Sequence, residues 1–371
     1  MNGNVIICGA DFGYGSAGKL AAMAEQLRIP FIKVGTTLGA DVLTEVHCVA
    51  QHDYPSDVDE LHRIVRRHTI QAALVVLDPL IADMLHQCDV PVVYVDSLPY
   101  LWTAADPVPV DASAYCAQLC TSLPQSCWAQ LRRIRDLRWV EAIVSSVPQQ
   151  AAPSGPIVVN VGGVGSPSLK AEDAAYPAAV LPAVLEGLTA AGRPVVVTGN
   201  VPQGLREELQ NTYASCDPVG TLSHPDFLAL LSSSSLLLTS PGMTTILEAG
   251  ALGHPTVLLP PQNLSQMLNA RLILDACGTG ETSSGFLDWP TTVIDQNTLA
   301  QRRQLGEQAA IGYIYQRIAS AGFDRAVYQH LTQRVRALST SDDGLARRYA
   351  ALIGVRGARQ VADVVERTIA A

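Results

Sequence analysis

Two stretches of the chain follow the same order, and that repetition limits the fold more than any other feature of the sequence. Residues 4–10, NVIICGA, form an apolar run that leads into the glycine-rich DFGYGSAGK and then the helical LAAMAEQL. Residues 156–162, PIVVNVG, lead likewise into GVGSPSL and then into YPAAVLPAVLEGLTAAG. Runs this rich in Val and Ile, with few polar residues, read as strands covered on both faces, the strand type of parallel sheets. In the first half PFIKVG (30–35), AALVVLD (72–78), PVVYVD (91–96) and VEAIVSSV (140–147) read the same way. In the second half PVVVTGN (194–200), LLLTS (236–240) and PTVLLP (255–260) do so. Helical segments such as DVDELHRIVRRH (57–68) and PLIADMLHQC (79–88) fall between them. Strand–helix alternation in both halves predicts an α/β chain of two Rossmann-like, doubly wound domains.

The stretch SVPQQAAPSGP (146–156) has no periodic pattern and suits an interdomain linker. The expected layout is therefore one domain over 1–150, a second over 151–335, and C-terminal helices over 336–371 that can pack back on the first. A chain of 371 residues is too long for one hydrophobic core. With 48% hydrophobic and 16% charged residues it is not disordered. A net charge of −9 argues against nucleic acid as a partner, because phosphate neutralisation needs clustered Lys and Arg. No uncharged apolar stretch reaches the ~20 residues that span a bilayer, and no export signal opens the chain. A cytoplasmic protein without membrane contact is expected. The cysteines include Cys116, Cys120 and Cys127, whose spacing matches no zinc pattern; buried thiols in a reducing compartment are the simpler reading.

The first glycine loop, Gly13-Tyr14-Gly15-Ser16-Ala17-Gly18, satisfies GxGxxG between a strand and a helix. Its glycines sit late after the strand, and PFIKVG does not end in the acid that would hold an NAD ribose. Gly13 to Lys19 also fits GxxxxGK, but Leu20 stands where a P-loop needs a magnesium-ligating hydroxyl. A third reading is an acceptor loop, where glycines let the backbone approach a ligand and the helix start faces it. Asp11 then lies just past the strand's carboxyl end, where open α/β sheets bind ligands, and is a candidate general base. A turn or helix-capping Asp is the alternative.

The most specific segment is 239–270, TSPGMTTILEAGALGHPTVLLPPQNLSQMLNA. A strand ends at Ser240, Pro241-Gly242 turns, and a helix begins at Met243. Gly242 permits close approach, and the helix N-terminus offers amides and a positive dipole end, with Thr244 and Thr245 adding hydroxyls. That is a diphosphate site without a bound metal. Glu248, about one and a half turns along, is placed to accept hydrogen bonds from ribose hydroxyls, although a lone Glu on a helix is more often solvated. Gln262, Asn263, Gln266 and Asn269 supply amides suited to sugar hydroxyls.

SPGMTTILEA, HPTVLLP, and Gln262, Gln266 and Asn269-Ala270 together resemble the donor-binding region of GT-B glycosyltransferases. The resemblance implies two domains facing a cleft, a UDP-sugar donor and no cofactor. It implies diphosphate contacts at Ser240, Gly242, Met243 and Thr244, a ribose contact at Glu248 and sugar contacts at Gln262 and Gln266. Gly162, Gly163, Gly165 and Ser166 would meet the donor from the opposite lip, and the uracil would lie on backbone near Val219. GADFGYGSAGKL, VPVVYVDSLPYLW (90–102) and VVNVGGVGSPS (158–168) resemble a narrower group, the cytosylglucuronate and hydroxymethylcytosylglucuronate synthases. That implies UDP-glucuronate as donor and N1 of a cytosine-type base as acceptor, in nucleoside natural-product biosynthesis.

On this reading Asp11 removes the N1 proton, with Asp96 as second candidate. Tyr14, Tyr100 or Trp102 stacks on the base beside the Gly15-Ser16 helix start, unless these aromatics are core residues. Lys19 or Arg271 meets the glucuronate carboxylate, the alternative for Lys19 being an exposed helix lysine. The expected reaction is a metal-independent single displacement with inversion. A nucleotide-sugar epimerase or hydrolase on the same scaffold, an NAD-dependent oxidoreductase and a non-catalytic sensor are the competing classes.

Overall fold

The computed structural model describes residues 3–35, 39–102, 106–145, 155–163, 175–189, 192–277, 311–314, 316, 318 and 344–370. It divides into two units, Met1–Ser146 with Ile353–Ala371, and Val147–Leu352.

The first unit contains, in chain order, β1 (Asn4–Gly9), α1 (Gly15–Ala24), β2 (Phe31–Val34), β3 (Ala50–His52), α2 (Val58–His68), β4 (Ile70–Val76), α3 (Pro79–Gln87), β5 (Val92–Asp96), β6 (Ala114–Gln118), α4 (Gln125–Leu131) and β7 (Leu137–Val140). The strands form one parallel sheet in the order β3-β2-β1-β4-β5-β6-β7. Because side chains alternate along a strand, Val5 and Ile7 of β1 face one way and Ile6 and Cys8 the other. The first pair packs with Leu20 and Met23 of α1 and with Val361, Val364 and Val365 near the C-terminus. The second packs with Leu61 and Ile64 of α2 and Ile81 and Leu85 of α3. Both faces are covered, which is why these strands read as unbroken apolar runs.

The second unit contains β8 (Ile157–Asn160), α5 (Ala175–Thr189), β9 (Val195–Thr198), α6 (Gln203–Thr212), β10 (Cys216–Gly220), α7 (His224–Ser233), β11 (Leu236–Thr239), α8 (Met243–Ala251), β12 (Thr256–Leu258), α9 (Leu264–Cys277) and α10 (Leu345–Ile353). Its parallel sheet runs β10-β9-β8-β11-β12. α10 packs on α8 so closely that a Cβ on Gly250 would lie 2.2 Å from the Ala346 carbonyl oxygen.

The chain re-enters the first unit after Leu352, and α11 (Gly357–Ala370) lies against α1 and the sheet. Val361, Val364 and Val365 are at most 3% exposed, each burial contributing about 1.5–3 kcal/mol. The entry is fastened by Arg356 on the Glu141 carboxylate and by the Gly357 amide on the Ala142 carbonyl at 3.0 Å.

That fastening corrects the reading of 140–147 as a strand. β7 ends at Val140, and residues 141–145 are covered without joining the sheet. The Ala142 amide donates to the Gly354 carbonyl at 3.1 Å, and the Ile143 amide to the Gln118 side chain at 3.1 Å. Their apolar character reflects burial under the returning chain.

In each sheet the chain works outward from a central strand and then crosses to its other side. The strand order reverses between β1 and β4 in the first unit and between β8 and β11 in the second. The carboxyl ends at those two reversals are where such sheets bind ligands.

Candidate functional site

At the reversal in the second unit, the loops after β8 and β11 are tied together by side chains. Asn160, the last residue of β8, donates from Nδ2 to Thr239 Oγ1 at 3.2 Å and accepts the Gly162 amide on Oδ1 at 2.9 Å. Its carbonyl accepts the Ser240 amide at 3.1 Å, while Ser240 Oγ donates to the Val161 carbonyl at 3.3 Å. Gln262 Nε2 donates to the same Val161 carbonyl. Gly162 has φ +67° and Gly199 φ +113°, conformations that favour glycine. Gly199 also touches Gly162 backbone to backbone, since a Cβ there would fall 2.8 Å from the Gly162 nitrogen. Gly220, beside Val219 at the end of β10, joins this rim by accepting Thr198 Oγ1 at 2.7 Å and the Gly199 amide at 3.0 Å.

α8 starts on this rim. Gly242 is its N-cap and has no side chain to cap it, and no acidic residue lies in the first turn. The Gly242 amide bonds the Ser240 carbonyl at 2.6 Å, which sharpens the turn out of β11. A helix start of this kind is suited to an anion such as a diphosphate, and Met243 and Thr244 form its first turn. Asn269 Nδ2 holds the Pro241 carbonyl at 2.8 Å.

Gln262 and Gln266 hold the loop after β12, and Gln262 ties that loop to the rim through the Val161 carbonyl. Gln266 Oε1 accepts the Gln262 amide at 2.9 Å, and Asn263 Oδ1 accepts the Gln266 amide at 3.0 Å. Each of the two glutamines thus has one amide atom committed to scaffold, and both are nearly buried. Glu248 is 2% exposed, not a solvated helix charge, and its Oε1 lies 2.7 Å from Nε2 of buried His224. The sequence motifs assign no role of their own to Asn160, Thr239 or His224. The only signal available for Asn160 was a single polar residue closing an otherwise apolar strand.

At the reversal in the first unit, Asp11 lies two residues beyond β1 and is partly buried. The Ala10 amide is held by the Val76 carbonyl of β4 at 2.8 Å, which fixes the start of this loop. Tyr14 is the N-cap of α1, Gly15 its first residue, and Ser16 is buried. Opposite, Leu77 has φ +56°, an unfavourable conformation for a branched side chain, and leads into Asp78. Asp78 Oδ1 accepts the Ile81 amide at 3.2 Å and the Tyr54 hydroxyl at 3.3 Å. Burial raises the Asp78 carboxyl above its ordinary range, and burial together with the neighbouring Asp78 charge raises the Tyr54 phenol.

Several expected site residues take other positions. Asp96, the second candidate base, is wholly enclosed and accepts Trp102 Nε1 at 2.7 Å, Tyr115 OH at 2.8 Å and the Leu98 amide at 2.9 Å. Burial pushes its carboxyl up to about 6 despite those three bonds. Trp102 and Tyr100 are core residues with no open stacking face: they are 8% and 5% exposed, and Cys127 Sγ bonds both of their carbonyls. Lys19 is 1% exposed, not a surface lysine, and donates to Gln118 Oε1 at 2.9 Å. Arg271 lies on the exposed side of α9 and pairs with Asp275 one turn along at 2.7 Å. Gly163 follows Gly162 at the rim; Gly165 and Ser166 lie outside the described residues.

Among the described residues, no group of three or more His, Cys, Asp or Glu is placed to hold a metal ion. No helix among them is long and apolar enough to cross a membrane.

Residues 39–286 match the family model described as CGA synthase-related protein. No match was found among curated protein sequences. Among solved structures, MurG of Acinetobacter baumannii is similar with 15% identity and a TM-score of 0.50, over 98% of this chain and 99% of that one. A UDP-glucosyltransferase from Polygonum tinctorium capable of glucosylating indoxyl, in complex with 3,4-dichloroaniline, is similar with 14% identity and a TM-score of 0.50, over 98% and 99%. At such identities the likeness establishes the fold, GT-B, with its two parallel-sheet α/β units.

Proposed function

The chain belongs to the CGA synthase-related family, and from that premise we propose that it is an inverting, metal-independent glycosyltransferase using a UDP-sugar donor. The observation that carries the reading is the start of α8. Glycine-led and without an acidic first turn, it stands at the sheet reversal of the second unit with Glu248 buried behind it. Developing negative charge on a departing diphosphate is stabilised by such a helix start without a cation. The GT-B fold and the UDP-glucosyltransferase named among the structural neighbours support the same reading.

We assign donor binding to Gly162, Ser240, Gly242, Met243, Thr244 and Glu248 of the second unit, with Gln262 and Gln266 supporting the rim. Acceptor activation is assigned to Asp11. The family description and the resemblance of the N-terminal motifs favour UDP-glucuronate as donor and N1 of cytosine or hydroxymethylcytosine as acceptor. In the reaction Asp11 takes the N1 proton as N1 bonds to the sugar's anomeric carbon. The bond from that carbon to the diphosphate oxygen breaks on the opposite face, and UDP leaves with the electron pair. The product is a β-linked N-glycoside.

The test offers UDP-glucuronate with cytosine, with hydroxymethylcytosine and with no acceptor, in EDTA, and follows UDP by liquid chromatography. UDP release should depend on the base and persist in EDTA, and Asp11→Asn should bind UDP while losing turnover. Equal release without acceptor would reject the transferase reading. Full activity in Asp11→Asn would reject the base.

A further inference from the structure

His224 opens α7 directly after Ser223, whose hydroxyl accepts the Asp226 amide at 3.3 Å and fixes where the helix begins. The imidazole is 4% exposed, and the Glu248 side chain it meets is 2% exposed. An ionised carboxylate only accepts hydrogen bonds, so Nε2, 2.7 Å from Oε1, is the donor. Among the described residues no other hydrogen bond reaches the Glu248 carboxylate. One oxygen is held, and among the described residues no donor reaches the other, Oε2. Oε2 is therefore the atom of this nearly buried carboxylate left to accept from a group outside the protein.

The position of Glu248 says what that group is. It is five residues beyond Met243, ~8 Å along the helix axis from the start of α8. A nucleoside diphosphate with its phosphates at that start has its ribose hydroxyls within this reach. A carboxylate free to turn about its terminal torsion would meet them in many orientations, because that torsion has only broad preferences. One pinned through Oε1 presents Oε2 in a single direction.

We propose that His224 is a positioning residue for nucleotide recognition: it pins Oε1 of Glu248 so that Oε2 accepts from one ribose hydroxyl, which makes the site selective for ribonucleotides. The proposal rests on the donor assignment above and deepens it, since a phosphate-binding helix start alone does not distinguish ribose from deoxyribose.

Calorimetry with UDP, 2′-deoxy-UDP and 3′-deoxy-UDP tests it on the full chain and on His224→Leu and His224→Gln. The wild type should bind UDP at least about tenfold more tightly than one of the two deoxy nucleotides, the size expected for a hydrogen bond to a buried charge. His224→Leu should reduce that preference to about twofold or less. His224→Gln, whose amide N–H reaches toward the same oxygen, should restore most of it. If His224→Leu melts below the assay temperature, His224→Asn replaces it; the shorter amide cannot reach Oε1, and the same loss of preference is required. A variant that keeps the full preference, or that weakens all three ligands by one common factor, overturns the proposal. So does a wild type that binds all three nucleotides equally. A wild type that binds none of them overturns the donor assignment itself.

Discussion

Replacing Asp96 by Asn sets two effects of known sign against each other. The carboxylate is fully enclosed and receives three donors, Trp102 and Tyr115 on Oδ2 and the Leu98 amide on Oδ1. Burial outweighs those bonds and lifts its pKa from 3.8 to about 6. At roughly 1.4 kcal/mol per unit, holding the ionised group in the folded protein costs about 3 kcal/mol above neutral pH. Between pH 3.8 and about 6 the folded state binds a proton that the unfolded state has released. Stability from this group therefore rises as pH falls through that window, opposite to the behaviour of an aspartate in a salt bridge.

Asparagine stays neutral and has no such dependence. It has only one acceptor oxygen, however, so its NH₂ must face either the Leu98 amide or the Trp102–Tyr115 pair. An unmet donor of this kind costs about 1–3 kcal/mol. At pH 7.5 the two effects nearly cancel, and the variant should lie within about 2 kcal/mol of the wild type. At pH 5 the wild type has recovered about half of its penalty, so the stability of the variant relative to the wild type should be about 1.4 kcal/mol lower than at pH 7.5. Urea unfolding followed by tryptophan fluorescence reads this out, because three of the four tryptophans, Trp102, Trp128 and Trp139, belong to the first unit. A stability difference that is the same at both pH values would refute the reasoning, since it would mean Asp96 titrates as a hydrated carboxyl. Turnover gives a second check. Both oxygens are directed at protein donors, so Asp96→Asn should keep activity to within a few fold. A loss beyond about a hundredfold with unchanged stability would return Asp96 to the role of base.

Asn160→Ala removes the amide that joins Thr239 to the Gly162 turn, and UDP affinity should fall about tenfold by calorimetry. Unchanged affinity would mean that this rim does not shape the donor site. Gly250→Val places side-chain atoms against the Ala346 carbonyl and should lower the unfolding free energy of the second unit by about 1–3 kcal/mol or more. A urea midpoint equal to the wild type's would show that α8 and α10 do not pack as described.

What the sequence revealed and what it concealed follow one physical division. β1, β4, β5, β8, β9 and β11 were readable because both their faces are covered, and a doubly covered strand is apolar wherever it is cut. β3 (AQH) and β10 (CDPVG) lie at sheet edges and carry polar residues or proline, while β6 (AYCAQ) has no β-branched residue to mark it. The 140–147 segment misled for the opposite reason: its cover comes from residues more than 200 positions later, at Gly354 to Gly357. The same division runs through the site. Gly242 is marked by its place between a strand and a helix, and Gly162 by the resemblance of its glycine-rich stretch, because a turn made by backbone is a local event that a local pattern can encode. Asn160 with Thr239, Lys19 with Gln118 and His224 with Glu248 are side-chain pairs 79, 99 and 24 residues apart. Which of these partners meet is settled by the order of strands in the sheet, and periodicity carries no information about that order. Glu248 shows the consequence: its helical position alone reads as a solvated charge, whereas the structure buries it against His224.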